Sequence, residues 1–141
     1  MQIGVFNLQK VLKSAPQIPV MQTKLKDQFR PAGKKLLSSQ ANLKKDIKKY
    51  RDVSTVRASY RGKLQKDIIA KQNKIKAQQN ALKHNFILAR NKQLQAVLNK
   101  IKVVVAKIAK KRGLDLVISN ANVAYNNKSM DITDQIIKAL K

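Results

Sequence analysis

The chain has 141 residues, with 31 Lys and Arg against 7 Asp and Glu, and its formal net charge is +24. All seven acidic residues are Asp, and there is no cysteine, which excludes disulfides, thiolate catalysis and thiolate metal sites. The length predicts a single domain, and the charge predicts an anionic partner: nucleic acid, anionic lipid head groups or acidic protein segments.

The N-terminal stretch predicts a buried strand followed by a break. Gln2–Leu8 is short, apolar and rich in β-formers, and Gln9–Ser14 fits a short helical turn. Pro16 and Pro19 are expected to break the chain, because each fixes φ and lacks an N–H group. Met1-Gln2 leads directly into the strand, without a basic start or a cleavage site. We therefore expect either a cytosolic chain or a mature form behind an added Met.

A first long helix is predicted from about Val20 to Asp52. Its apolar seam has 4-3 spacing. Asp46 interrupts the seam and Ile47 continues it, as expected when the apolar repeat drifts from 3.5 toward 3.6 residues per turn. The seam comprises Leu25, Phe29, Ala32, Leu36, Ser39, Leu43, Asp46 and Tyr50. Pro31 and Gly33 lie inside this helix. We expect a hinge there, with a kink near Asp27, because Pro31 removes one hydrogen bond.

A second long helix is predicted from about Tyr60 to Arg112, after a reversal at 53–59. Its upper half has a dense apolar seam, made of Leu94, Val97, Ile101, Val104 and Ile108. The seam of its lower half is sparser and comprises Leu64, Ile68, Ile75, Leu82 and Phe86. Lys110-Lys111-Arg112 followed by Gly113 is a strong stop signal. The stretch 20–112 holds 20 Lys and 6 Arg against 4 Asp, so almost the whole net charge lies on this helical hairpin.

The C-terminal stretch predicts two strands and a helix. Leu114–Ser119 and Val123–Tyr125 fit strands separated by an Asn-rich turn. Asp131 suits the N-cap of a final helix whose apolar face comprises Ile132, Ile136, Ile137 and Leu140. With the N-terminal strand these can share one small sheet. Three short strands and one helix make a marginal domain, which favours assembly with other copies.

Nothing in the sequence predicts catalysis, and we expect no cofactor and no metal. His84 is the only histidine and is expected to be an exposed helical residue. The Asp residues are scattered, and Asp67 is placed to form a weak surface pair with Lys71, four residues later. There is no metal-ligand spacing and no glycine-rich phosphate loop.

The arrangement resembles the Skp (OmpH) family of periplasmic chaperones for outer-membrane proteins. The opening IGVFNLQKVL and the closing KRGLDLVISNANVAYNNKSMDIT are similar to that family's signatures, and the likeness spans the chain. It implies a mainly α, α+β fold. A long antiparallel helical-hairpin tentacle, 20–112 with its tip near 53–59, would project from a β-rich head, 1–19 and 113–141. It further implies a homotrimer with a β-barrel head, which holds unfolded outer-membrane proteins without ATP in the periplasm.

The charge, the apolar tip and the resemblance together assign roles to residues of this chain. The trimer interface of the head is expected at Ile3, Val5, Leu8, Leu116, Val117, Ile118, Val123 and Tyr125. Client-facing or steering residues of the tentacle are expected at Lys44, Lys48, Val53, Val56, Tyr60, Lys74 and Lys76. Anionic lipid or lipopolysaccharide surfaces are further possible partners. The family's proposed lipopolysaccharide site is not carried over, because Ile87 and Leu88 stand where its arginine cluster would be.

Two other hypotheses stay open at the level of sequence. A basic helical hairpin could neutralise phosphates in a nucleic-acid-binding protein, although the chain has few aromatics for stacking and no base-reading motif. A purely structural coiled-coil assembly factor is the second. The strength of binding to nucleic acid at physiological salt separates the first from a chaperone.

Overall fold

The computed structural model describes residues Met1–Asp52 and Arg57–Lys141. Its elements in chain order are β1 (Ile3–Phe6), α1 (Leu8–Ser14), α2 (Gln17–Asp52), α3 (Ala58–Arg112), β2 (Leu116–Ser119) and α4 (Thr133–Leu140). Two long helices with a small strand region confirm the predicted mainly α, α+β class. The chain forms two compact units, unit 1 (Met1–Lys24 and Asn91–Lys141) and unit 2 (Leu25–Arg90). The predicted head, 1–19 and 113–141, and tentacle, 20–112, were divided at the ends of the long helices and not by compactness. Those boundaries stay a prediction.

The sheet of unit 1 joins the two ends of the chain. Strands β1 and β2 pair in parallel, with Ile3 opposite Leu116 and Val5 opposite Ile118. On its other side, Val5 forms an isolated bridge with Asp131. The Ile132 N–H donates to the Val5 carbonyl at 2.9 Å. Below the sheet, α1 packs on α4 around Val5, Val11, Ile132, Ile136 and Leu140, all of them buried.

The first strand is shorter than predicted, because a helix cap ends it. The Asn7 side chain accepts the backbone N–H of Lys10 at 3.1 Å, so α1 begins at Leu8. Leu8 is therefore a helical residue, and its predicted place in a strand is wrong. Strand β2 is also shorter than predicted, since Leu114 closes the end of α3 and Asp115 bonds to Gln2.

The predicted strand Val123–Tyr125 is wrong. The chain instead forms two short 3-10 turns, at Asn120–Asn122 and Lys128–Met130, and 123–125 is irregular between them. A strand needs a partner edge. Within one chain β1 is already flanked by β2 and by the Val5–Asp131 bridge. The outer edge of β2 is open, but 123–125 does not pair with it, because the Ser119 hydroxyl and the Asn120 carbonyl hold the intervening residues in a 3-10 turn. Tyr125 is 86% exposed as a result.

The helix ends follow local chemistry, with one correction. Helix α2 begins at Gln17, so Pro19 lies in its first turn and does not break the chain. First-turn N–H groups have no intrahelical partner, so a proline costs little there. Helix α3 ends as predicted: Gly113 has φ +67, and the Leu114 N–H donates to the Ala109 carbonyl at 2.8 Å.

Asp131 caps the last helix from one position further out than predicted. Its Oδ1 accepts the Thr133 N–H at 2.9 Å and the Thr133 hydroxyl at 2.5 Å. Those two hydrogen bonds hold the pKa of Asp131 below its ordinary value. The Thr133 oxygen in turn accepts the Asn7 N–H at 3.0 Å. One buried hydroxyl therefore links the start of α1 to the start of α4.

Candidate functional site

Unit 2 is an antiparallel pair of helical segments held by contacts at three levels. The rings of Phe29 and Phe86 meet edge to face, 5.4 Å between centroids. Asp46 forms an ion pair with Lys71, which takes the place of the predicted pair between Asp67 and Lys71. The Arg61 guanidinium lies 4.6 Å from the centroid of the Tyr50 ring. Successive residues along α2 thus contact residues progressively earlier on α3, so the two helices are antiparallel, as the predicted hairpin requires.

The seam between the two segments is thin. Leu25, Leu64 and Ile75 are buried, whereas most other seam positions, such as Leu36 and Leu43, are only half-buried. Ala32 is exposed, so that seam prediction is wrong. Phe86, although it stacks on Phe29, stays 38% exposed. Two helices alone cannot cover both of their apolar stripes, which leaves apolar surface open along unit 2.

Unit 2 carries a large excess of cations over their possible partners. Its sequence contains 13 Lys and 5 Arg against 4 Asp. Two ion pairs form within its described part, Asp27 with Arg30 at 2.7 Å and Asp46 with Lys71. Lys44, Lys48, Lys74 and Lys76 are all exposed and join neither pair. Their ammonium groups are thus available to an outside anion.

The predicted lysines border a groove on unit 2 of about 960 Å³. Its floor is Leu43, Ile47 and Ile75, and Lys44 and Lys48 stand at its edge. A smaller cavity of about 150 Å³ beside Ile75 is lined by Lys71 and Lys74. The structure therefore brings three of the four predicted lysines next to apolar surface, while Lys76 lies outside both cavities.

The predicted tip is only partly within the described residues. Val53 and Val56 lie outside them. Tyr60 lies in the first turn of α3 and is 47% exposed. Pro31 and Gly33 lie within a continuous α2, with open space around Gly33, and the hinge stays a prediction.

Sequence reasoning missed several exposed apolar side chains on unit 2. Leu37 is 67% exposed, and Ile69, Ile87 and Leu88 are each about half exposed. These residues lie off the 4-3 spacing that identified the seam. A search for apolar residues that lie outside the seam on these strongly basic helices would have identified them. Cations and open apolar groups thus alternate over the surface of unit 2.

Unit 1 presents a second open surface, on its sheet. Leu116 and Ile118 are exposed and alternate along β2 with the half-buried Val117 and Ser119. A cavity of about 440 Å³ beside the sheet is lined largely by apolar residues, among them Phe6, Val105 and Val117. Of the other predicted interface residues, Val5 is buried in the core of its own chain, Ile3, Leu8 and Val123 are half-buried, and Tyr125 is exposed.

The described part of the chain has no cluster of potential metal ligands. Outside 53–56, no group of three His, Asp, Glu or Cys side chains is placed to hold a metal ion. His84 is exposed on α3, as predicted. The helices of the described ranges include none long and apolar enough to cross a membrane. Unit 2 offers an outside molecule both positive charge and apolar contact.

Comparison with known proteins identifies relatives over nearly the full length. Residues 2–140 match the family described as outer membrane protein (OmpH-like). The chain is 28% identical to the chaperone protein Skp of Pectobacterium atrosepticum, over 99% of this chain and 86% of that protein. It is 27% identical to Skp of Vibrio cholerae, over 99% and 83%. A crystal structure from Caulobacter crescentus, described as an OmpH-like outer membrane chaperone, superposes with a TM-score of 0.85 at 16% identity, covering 99% of this chain and 83% of that one.

Proposed function

The chain belongs to the family of OmpH-like outer membrane proteins, and from this premise we propose that it is an ATP-independent holding chaperone of the periplasm. Its clients are unfolded outer-membrane β-barrel proteins, which it keeps soluble and delivers for membrane insertion. It acts by binding and not by catalysis, and it needs no cofactor.

One observation carries this proposal: unit 2 places unpaired lysines beside open apolar surface. Lys44 and Lys48 border a groove whose floor is Leu43, Ile47 and Ile75. An unfolded β-barrel protein exposes apolar side chains and unpaired strand edges, both of which promote aggregation. Many weak apolar contacts cover those groups without selecting one conformation. The lysines attract acidic clients at long range, an effect that salt screens.

The working assembly in this proposal is a homotrimer joined through unit 1. Leu116 and Ile118 are exposed on a two-stranded sheet, which is too small to be stable by itself. Burying these side chains against other copies would remove apolar surface from water. Three copies bring three basic helical hairpins into one assembly, so one client can make contacts with several of them at once.

Anionic membrane surfaces are a second class of partner in this proposal. The excess of 18 cations over 4 Asp in unit 2 suits lipid head groups. Ile87 and Leu88 are open apolar residues with Arg90 beside them, so this stretch offers one cation where a dense cluster would be expected for lipopolysaccharide. We therefore expect weak, salt-sensitive association with anionic surfaces.

The test compares two variants of equal net charge, in which the same number of lysines is reversed on different surfaces. The variant K44E/K48E/K74E/K76E is compared with K92E/K107E/K128E/K141E, which changes four exposed lysines of unit 1. Each exposed ion contact contributes roughly 0.2–1 kcal/mol, so losing four should weaken client binding on the order of tenfold or more. The binding constant for a urea-unfolded outer-membrane β-barrel is measured at low and physiological salt. Equal affinities for both variants and no salt dependence would contradict the role of these lysines.

A further inference from the structure

A cleft in unit 1 shares no lining residue with the groove of unit 2. It has a volume of about 630 Å³ and is formed by the start of α2 and the facing part of α3. Its floor includes Met21 and Val97, which are 8% and 7% exposed, and Val20 beside them is 55% exposed. This volume is within the range of clefts that bind ligands.

The cleft is a formed feature of unit 1. Met21 and Val97 are held in the core, and the Gln17 side-chain amide donates to the Leu140 carbonyl at 3.0 Å, which fixes one end of the cleft to the C-terminal helix. Open apolar surface between fixed walls costs free energy unless something covers it.

A cation stands toward each end of the cleft. Lys24 follows the floor residues on α2, and Lys100 follows them on α3. Because the two helices run in opposite directions, the two lysines lie toward opposite ends. Gln17 and Lys24 are seven residues apart on one helix, which is about 10 Å at 1.5 Å per residue. The cleft thus has an apolar floor about 10 Å long with an ammonium group near either end.

This charge pattern selects the occupant. A single-chain lipid carries one anionic head and would satisfy one lysine only. An extended polypeptide rises about 3.3 Å per residue, so two acidic side chains four positions apart span about 13 Å. This fits the diagonal between two lysines about 10 Å apart along helices whose axes are about 8–10 Å apart. Residues i, i+2 and i+4 of an extended chain point to the same side, so both acidic side chains and the residue midway between them can face the cleft. An apolar residue at that midpoint can lie on the apolar floor.

We propose that this cleft is a client subsite that takes an extended peptide segment in which an apolar residue lies midway between two acidic residues four positions apart. The inference rests on the proposed holding function and specifies the sequence pattern in the client that the chaperone binds. The cleft of unit 1 fixes a short acidic and apolar segment, and the groove of unit 2 contacts the rest of the unfolded chain.

The test uses the full-length protein in its assembled state and labelled peptides. The probe contains Asp-Ser-Leu-Ser-Asp in a Gly/Ser context, and its isomer has the same composition with the two Asp adjacent. Dodecanoate serves as the single-chain lipid competitor. The variant K24E/K100E is compared with K26E/K107E, which changes two exposed lysines on the same helices that do not line the cleft. A third variant, A96L, narrows the cleft at an exposed position while retaining good helix propensity.

Fluorescence anisotropy should show the spaced peptide binding several-fold more tightly than its isomer. K24E/K100E should weaken that binding about tenfold, A96L several-fold and K26E/K107E less than threefold. Equal losses for the two lysine pairs, or equal binding of the two peptides, would overturn the subsite. Dodecanoate binding in place of the peptide would assign the cleft to lipid and overturn it too. Suppression of β-barrel aggregation by the unmodified protein is measured in parallel: if it persists when the peptide results are negative, the subsite fails and the holding function stands.

Discussion

Replacing Thr133 with Val should destabilise unit 1 far more than its small change in shape suggests. Thr133 is 3% exposed, and its hydroxyl oxygen accepts the Asn7 N–H at 3.0 Å while donating to Asp131 Oδ1 at 2.5 Å. Valine has nearly the same shape but neither hydrogen bond. The substitution therefore tests the link between the two ends of the chain with little change in packing.

The expected loss is about 2–4 kcal/mol in the free energy of unfolding. Leaving the part-buried Asn7 N–H without an acceptor costs about 1–3 kcal/mol, and a hydrogen bond to a carboxylate contributes about 1.5–3 kcal/mol. The two costs overlap, because one hydroxyl makes both bonds. Against a typical total of about 5–15 kcal/mol, this is a large fraction.

The matched control is T133S, which keeps the hydroxyl and removes one buried methyl group at a cost of about 1 kcal/mol. Urea unfolding is followed by circular dichroism at one fixed protomer concentration, since assembly makes the apparent stability depend on concentration. T133V should have a midpoint well below that of T133S. If the two variants lose the same stability, the hydroxyl does not link the chain ends, and the reasoning is refuted.

Three further predictions concern pH, assembly and motion. The depressed pKa of Asp131 contributes stability above its ordinary value of about 3.9, and this is lost as pH falls through the lower folded value. D131N should therefore flatten the decline in unfolding free energy below about pH 4, and an unchanged decline would argue against this carboxylate. I118D should dissociate the proposed trimer, because each copy would bury an unpaired charge. Sedimentation equilibrium checks this, and a trimer that survives the substitution would place the interface elsewhere. Hydrogen exchange should be faster around Asp27–Gly33 than around Ile101–Ile108, where the seam is dense, and equal protection would rule out the hinge.

The long helices were predictable because their signals are strong and local. Apolar spacing, the cations before Gly113 and the reversal after Asp52 placed α2 and α3 to within a few residues. Periodicity sustained over several turns of helix outweighs single exceptions such as Pro31, and Pro19 is tolerated in a first turn.

The chain ends were harder to predict, because tertiary contacts decide them. Val123–Tyr125 has the composition of a strand, but a 3-10 turn directly after β2 leaves it unpaired with the open edge of β2, and β1 is flanked on both sides. Thr133 gave no signal, because its role depends on meeting Asn7 across 126 positions. The exposed apolar residues of unit 2 were missed because the seam was sought at a single spacing.

The central claim is that the chain holds unfolded outer-membrane β-barrels in solution without ATP. Its most direct test is light scattering after a urea-unfolded outer-membrane β-barrel is diluted into buffer of physiological salt, with and without the protein and with no nucleotide present. We predict that a small molar excess of the protein suppresses scattering, and that duplex DNA at equal charge does not compete with the client. Undiminished aggregation, together with tight binding of the duplex under the same conditions, would contradict the claim.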